Sequence, residues 1–177
     1  TDFTRRNAKG SRADAQAEIT SDQICGSMPQ GFDAKGYSTR PWKITAYLHD
    51  GQRFDLGRRT MEVITTPGHT PDAISLIDRA NGLLFTGDTY YPAPIWLYRP
   101  ETDLEAYRAS IRKLATLASQ VKLVLGAHNV PVAPPSVLPR LVTAFDAVRA
   151  GKATAIPDSP GKVIYRVDDF SFLMRAP

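Results

Sequence analysis

Short runs of apolar and β-branched residues, each closed by a glycine or proline turn, dominate the first half of the chain after residue 41 and constrain its fold most strongly. The strands predicted from these runs are Trp42–Leu48, Met61–Thr66, Ala73–Asp78 and Leu83–Thr86. Asp50-Gly51 predicts a hairpin turn after the first run, with Phe54 and Leu56 on the inner face of the returning strand. We therefore expect a mixed, largely antiparallel sheet.

Two amphipathic helices are predicted in the second half of the chain. The first begins near Thr102, which has the spacing of a capping box with Glu105, and Ser136 can cap the second. Their apolar stripes are Leu104, Tyr107, Ile111, Leu114 and Leu117, then Leu138, Leu141, Val142, Phe145 and Val148. Further strands are predicted at Val121–Leu125, Lys162–Val167 and Phe170–Met174. The fold class is therefore α/β with two main helices.

Length and composition exclude several classes of protein. The 177 residues, 42% of them hydrophobic, can form one domain with a buried core. A single cysteine, Cys25, excludes an internal disulfide, and three histidines exclude any site that needs four or five of them. No apolar run approaches the roughly 20 residues needed to span a bilayer, and no signal peptide opens the sequence. We expect a cytoplasmic protein with no membrane partner.

The segment at residues 1–36 is polar and broken by glycine and proline, which predicts an irregular arm ahead of a domain at residues 37–177. Ala13–Ile19 is its one weakly helical stretch. The arm carries a basic cluster, formed by Arg5, Arg6, Lys9 and Arg12. The whole chain has a net charge of only +4, and the cluster has no interleaved aromatic residues. A solvated tail is therefore expected, with no nucleic-acid partner.

Three polar residues, His69, Asp88 and His128, each follow a predicted strand and each have a glycine nearby. Side chains at neighbouring strand ends can converge at one edge of a sheet. Two imidazoles and a carboxylate suit zinc, or iron or manganese. Ordinary loop and turn residues would give the same pattern, so spacing alone leaves both interpretations open.

The amino-acid sequences of these three loops resemble the metal motifs of the metallo-β-lactamase superfamily. The matching strings are Thr66-Pro67-Gly68-His69-Thr70-Pro71-Asp72, Leu84-Phe85-Thr86-Gly87-Asp88-Thr89 and Leu125-Gly126-Ala127-His128-Asn129. The resemblance covers about Phe54 to Gly151 and implies an αβ/βα sandwich of metal-dependent hydrolases with a dinuclear centre. It further implies that His69 and His128 each complete the ligand set of one metal ion, and that Asp88 bridges the two ions.

One motif of that family, His-x-His-x-Asp-His, is missing ahead of the Pro67-Gly68-His69 turn. The only other histidine, His49, lies in the predicted hairpin turn, where exposure to solvent explains it better than metal binding. We therefore expect the C-terminal portion of the family fold, weakly active or inactive alone. A non-catalytic structural or interaction module that keeps the fold is the alternative.

The resemblance implies a reaction in which metal-bound hydroxide attacks an ester, thioester, lactone or related bond of a small-molecule substrate. Asp72 and Asn129 lie next to candidate ligands and are candidates for orienting ligands or substrate, although turn capping and a loop role are the simpler explanations. Tyr90, Tyr91 and Trp96 either line a substrate pocket or pack over the core. A chain that supplies mainly one sheet of a sandwich would expose apolar surface, so we expect a homodimer or other association through the uncovered sheet face.

Overall fold

The computed structural model describes residues 1–11, 16, 19 and 26–177, and the chain divides into two compact units, Thr1–Tyr47 and Leu48–Pro177. The first unit contains helix α1 (Asp2–Asn7), whose first turn is capped by the Thr1 hydroxyl oxygen, which accepts a hydrogen bond from the Thr4 N–H at 3.1 Å. The predicted arm, residues 1–36, lies within this unit. Most of the predicted helix at Ala13–Ile19 falls outside the described residues, as does Cys25.

Six strands of the second unit form one sheet. They are β1 (Arg53–Asp55), β2 (Thr60–Thr65), β3 (Ile74–Asp78), β4 (Leu83–Gly87), β6 (Leu123–Gly126) and β7 (Val132–Ala133). Their order across the sheet is β1-β2-β3-β4-β6-β7. Only the β4–β6 pair is parallel in this sheet as described.

A second sheet of four strands comes from the remaining chain. It contains β5 (Pro94–Leu97), β8 (Ala155–Ser159), β9 (Lys162–Val167) and β10 (Phe170–Arg175), in the order β5-β10-β9-β8. β5 runs parallel to β10, and the other two pairs are antiparallel. The prediction of a mixed, largely antiparallel sheet in an α/β fold is confirmed, whereas the expectation that the chain supplies mainly one sheet is wrong, because two sheets are present.

Two helices, α2 (Leu104–Ala115) and α3 (Val137–Arg149), supply much of the core. Both predicted stripes are largely buried, because the helices pack their apolar sides into one hydrophobic cluster with the sheets. Phe145 of α3 is central, with its ring centroid 5.0 Å from Tyr107 and 5.4 Å from Phe172. The aromatic contacts therefore join both helices to the second sheet.

Three local predictions are wrong. Residues 41–49 form no strand: Trp42 is 52% exposed and Tyr47 49% exposed, so alternation along this segment reflects no buried face. Leu56 is 65% exposed. Strand β1 ends at Asp55, so Leu56 lies outside the strand and does not pack on the core. Helix α2 is capped by Asp103, whose Oδ1 accepts hydrogen bonds from the N–H groups of Glu105 and Ala106, so the predicted capping box at Thr102 does not form.

The face of the six-stranded sheet that points away from the helices carries a row of apolar residues. The cross-strand partners in this row are Val63, Leu76, Phe85, Leu125 and Val132. None of the five belongs to the main core cluster. Val63 is fully buried, Leu76, Phe85 and Leu125 are half-buried, and Val132 is 48% exposed. Alternation of side chains along each strand thus gives this sheet a second apolar face.

Candidate metal centre

Three strands of the six-stranded sheet point the same way and bring the predicted ligands to one edge. β2 and β4 are both antiparallel to β3, and β6 is parallel to β4, so β2, β4 and β6 share one direction. His69, Asp88 and His128 follow these three strands in the chain. The sheet topology therefore places three loops with these residues side by side.

The Asp88 carboxylate lies between the two imidazoles. Its Oδ1 is 2.9 Å from Nε2 of His128, and its Oδ2 is 3.8 Å from Nε2 of His69. Two ligands of one tetrahedral zinc ion lie about 3.3–3.6 Å apart, so one separation is shorter and the other longer than this spacing by about 0.2–0.7 Å. Each carboxylate oxygen is thus placed to share an ion with a different histidine.

His69 is oriented by a main-chain contact from β5. Its Nδ1 is 2.7 Å from the carbonyl oxygen of Trp96, and the residue is only 9% exposed. A carbonyl oxygen can only accept, so Nδ1 donates its proton and Nε2 of the neutral ring presents a lone pair. A histidine fixed in this way is typical of metal ligands that bind through Nε2.

The Oδ1 atom of Asp88 is buried and forms no hydrogen bond with any described residue, although the side chain as a whole is 42% exposed. The 2.9 Å approach of His128 therefore has ion-pair distance without hydrogen-bond alignment. A buried carboxylate oxygen without a hydrogen bond is costly, and a cation between it and His128 would satisfy it.

The three side chains form two neighbouring pairs that share Asp88. Across the described residues, no group of three or more His, Cys, Asp or Glu side chains is arranged to hold a metal ion by itself. Each ion would receive one imidazole and one carboxylate oxygen from these residues. The donor types fit zinc or iron, and the number of donors falls short of the four of a typical zinc site.

His128 is the most accessible of the three residues, with a side chain that is 60% exposed. Its ring meets Tyr91 edge-to-face at a centroid distance of 4.9 Å. A Cβ atom on Gly126 would lie 2.9 Å from the carbonyl oxygen of Tyr90, so only glycine allows β6 to end this close to the Tyr90-Tyr91 backbone.

The turn that carries His69 is fixed against the start of helix α2. Gly68 has a φ of +139°, and a Cβ atom there would lie 2.3 Å from the Cα atom of Tyr107. The Asp103 N–H donates to the carbonyl oxygen of Gly68 at 2.9 Å, and the Thr102 hydroxyl donates to that of His69 at 3.1 Å. The residue predicted to cap the helix therefore holds the histidine turn instead.

Buried hydroxyl groups beneath the site tie the loops together. Thr89 donates to the hydroxyl oxygen of Thr66 at 3.1 Å, and Thr66 lies 3.2 Å from Ser75 Oγ. The Tyr107 hydroxyl donates to the carbonyl oxygen of Thr89 at 2.8 Å, and burial raises the pKa of Tyr107 well above its usual value, so it stays a donor. Sequence reasoning missed these supports. Thr66 and Thr89 lie inside the motifs, but a main-chain partner such as Trp96 leaves no signal in a sequence.

The structure places the remaining predicted site residues in distinct surroundings. Asp72 accepts a hydrogen bond from the Thr70 hydroxyl at 2.9 Å, and Asn129 is exposed with a φ of +59°. Tyr90 and Tyr91 are buried in the core cluster, whereas Trp96 is half-buried. Burial raises the pKa of Tyr91 to about 12, and its hydroxyl donates to the carbonyl oxygen of Pro94. His49 is exposed and lies outside every described helix and strand, as expected for a residue of a turn.

Comparison with known proteins gives matches of three kinds, namely a family model, curated relatives and solved structures. The family model of the metallo-beta-lactamase superfamily matches residues 8–165. Acyl-coenzyme A thioesterase MBLAC2 from Gallus gallus is 26% identical over 122 residues, which cover 68% of this chain and 44% of the relative. Hydroxyacylglutathione hydrolase from Hahella chejuensis is 48% identical over 52 residues, which cover 28% of this chain and 20% of the relative.

Among solved structures, TTHA1623 in a di-iron-bound form superimposes with a TM-score of 0.50 at 26% identity, covering 60% of this chain and 52% of that one. The chain spans less than half the length of the curated relatives described above. Their names are those of hydrolases. The family model covers most of the sequence, so the chain belongs to the metallo-beta-lactamase superfamily.

Proposed function

We propose that this chain supplies His69, Asp88 and His128 as metal ligands of a hydrolase that cleaves an ester, thioester, lactone or related bond. The observation that carries the proposal is the Asp88 carboxylate, with one oxygen facing each imidazole Nε2. Zinc is the expected metal, with iron or manganese as the alternatives, because all three accept imidazole and carboxylate ligands. The di-iron-bound structural neighbour supports a two-metal centre of this type.

A thioester is the substrate class we favour. One relative is named an acyl-coenzyme A thioesterase and another a hydroxyacylglutathione hydrolase, and both names describe an acyl compound. Tyr91 and Trp96 lie near the candidate ligands, since Tyr91 contacts the His128 ring and the Trp96 carbonyl oxygen holds His69. We propose that Trp96, which is half-buried, borders the substrate, and that the buried Tyr91 supports the His128 ring.

The residues of this chain hold and orient groups in this scheme. A metal ion, when bound, supplies a Lewis acid that polarises a carbonyl oxygen and acidifies water. Asp88 presents one negatively charged oxygen toward each histidine, and it does not act as a covalent nucleophile. His69 keeps its Nε2 lone pair available because Trp96 holds the proton on Nδ1. Hydrogen bonds among the hydroxyl groups of Thr66, Thr89 and Ser75 hold the loops in fixed positions relative to one another.

The donors of this chain form an incomplete ligand set, with two donors for each ion. We therefore expect this chain alone to bind metal weakly and to hydrolyse little, and further ligands to come from protein outside it. A non-catalytic module of the same fold is the second candidate. The incomplete ligand set favours it, because two donors for each ion do not complete a metal site.

Zinc binding by the full 177-residue chain separates the two candidates. Equilibrium dialysis of the chain against zinc, which detects weak binding, should show binding by the wild type and its loss in Asp88→Asn, because Asp88 belongs to both pairs. His69→Ala and His128→Ala should each weaken binding. His49→Ala is the matched control, because His49 is exposed and lies outside the proposed centre. Equal binding by the wild type and Asp88→Asn would support the non-catalytic module.

A further inference from the structure

A groove lined by four arginines lies at the start of β2 and the end of β3, whereas the candidate metal centre lies where β2, β4 and β6 end. Its volume is about 370 Å³, and its arginines are Arg53, Arg58, Arg59 and Arg79. They come from β1, from the turn between β1 and β2, and from the residue after β3. β2 starts at this groove and ends before the His69 turn, and its six residues span roughly 20 Å.

Positive charge exceeds negative charge in this groove. Glu62 is the acidic residue of its lining, and it accepts hydrogen bonds from Arg79 at 2.7 and 3.1 Å and from Arg53 at 3.2 Å. The buried Asp78 carboxylate lies 3.6 Å from Arg59. The Asp55 carboxylate accepts a hydrogen bond from the Gly57 N–H at 2.8 Å in the same turn. Three carboxylates therefore lie at the groove against four guanidinium groups, and the remaining positive charge attracts anions.

The acidic residues hold the arginines in place without using all of their donors. Each guanidinium has five N–H groups. Arg79 donates to Glu62 and to the side-chain oxygen of Gln120, and Arg53 donates to Glu62, which leaves part of the N–H groups of each arginine unused. Arg58 is exposed, and its side chain makes no hydrogen bond or ion pair with any residue in the described part of the chain. Donors held in fixed directions, beside one flexible cation, make a binding site for an oxyanion.

We infer that this groove binds the phosphate or diphosphate group of a small phosphorylated molecule. Planar guanidinium forks match the oxygen geometry of phosphate, and the groove volume lies in the range of small-molecule sites. Thr60, also in the lining, adds a hydroxyl group. This site shares no residue with the proposed metal centre, so it goes beyond the proposed function and can fail independently of it.

Calorimetric titration of the full chain with inorganic pyrophosphate tests the inference. The protein is first stripped of metal with a chelator and dialysed, so that an ion at Asp88 cannot bind the probe. We expect saturable binding with one site, and a loss of roughly tenfold or more in affinity for Arg58→Glu. Arg53→Ala, from the β1 side of the groove, should weaken binding as well. Thermal melting of each variant confirms folding, which Arg58 substitution should leave unchanged because the residue is exposed.

Arg140→Glu is the matched control, because Arg140 is a half-exposed arginine that pairs with Asp169 and does not line the groove. It changes the net charge of the protein by the same amount as Arg58→Glu and should keep wild-type affinity. Equal losses in Arg58→Glu and Arg140→Glu would overturn the inference, because binding would then follow net charge alone. Absence of saturable binding by the wild type would overturn it as well.

Discussion

At the scale of single residues, the two candidate histidine ligands contact groups from other parts of the chain. His69 is held by the Trp96 carbonyl oxygen and by the Thr102 hydroxyl, and the His128 ring meets Tyr91. Asp88 is different, because its Oδ1 is buried without a hydrogen bond in the described structure. The two histidines are therefore positioned in advance, while Asp88 keeps a polar atom that the protein itself does not satisfy.

Gly68 is the residue whose replacement we expect to damage the site most through sterics alone. Gly68→Ala would place a Cβ atom 2.3 Å from Tyr107 Cα at a φ of +139°, so the His69 turn or the start of α2 must move. We expect a loss of about 3 kcal/mol or more in the free energy of unfolding, measured by urea denaturation.

Gly57→Ala is the control for this effect. Gly57 also has a positive φ, of +83°, but a Cβ atom there meets nothing within 4 Å. Backbone strain alone should cost about 1 kcal/mol at this position. Similar losses for Gly57→Ala and Gly68→Ala would show that the contact with Tyr107 contributes nothing.

At the scale of secondary structure elements, the sequence pattern predicts the elements with strong periodicity. The stripes of α2 and α3 and the strands β2, β3, β4, β9 and β10 were all predictable, since each carries its own apolar face. β5, β7 and β8 were missed, because prolines and polar residues interrupt their patterns. Residues 41–49 show the reverse case, in which local alternation exists without a buried face to support it.

The candidate site was predictable only in part, and for a related reason. His69, Asp88 and His128 stand beside glycines in recognisable motifs, so their identities are visible in the sequence. The contacts that orient them come from residues distant in the chain, and the Trp96 partner is a main-chain carbonyl. Thr102 illustrates the difficulty, because its spacing from Glu105 suits a cap while Asp103 takes that role in the structure.

The two long helices provide a test of capping at the element scale. Asp103→Ala should lower the free energy of unfolding by about 1 kcal/mol, because the Asp103 carboxylate accepts two hydrogen bonds at the start of α2. Ser136→Ala is its counterpart at the start of α3, where the serine side chain makes no capping hydrogen bond, and should cost no more than a few tenths of 1 kcal/mol. Chemical denaturation measures both, and equal costs would contradict the assigned caps.

At the scale of the whole molecule, a sheet with two apolar faces has only one face in the main core. The second apolar face is buried at Val63 and reaches solvent at Val132 on the edge strand β7, and Leu123, on the same face of β6, is 39% exposed. In the described part of the chain, no helix is long and apolar enough to cross a bilayer. Apolar surface of this kind favours association with another protein surface, and we propose a second copy of the chain as the partner.

Sedimentation velocity at increasing protein concentration tests this association. We expect a dimer that Val132→Lys shifts toward monomer, because a charge on the row must lose its water when the faces meet. Ile156→Lys, on strand β8 of the other sheet, is the matched control, since Ile156 is 43% exposed and Val132 48% exposed. A monomer at every concentration, or equal effects of the two lysines, would contradict the proposed interface.

Zinc anomalous diffraction from crystals of the chain soaked in zinc shows whether two metal ions share Asp88. We predict anomalous peaks about 2.0–2.2 Å from Asp88 oxygens, one beside His69 Nε2 and one beside His128 Nε2. Peaks found only at His49 or at surface carboxylates, with none beside Asp88, would show that Asp88 is not a metal ligand.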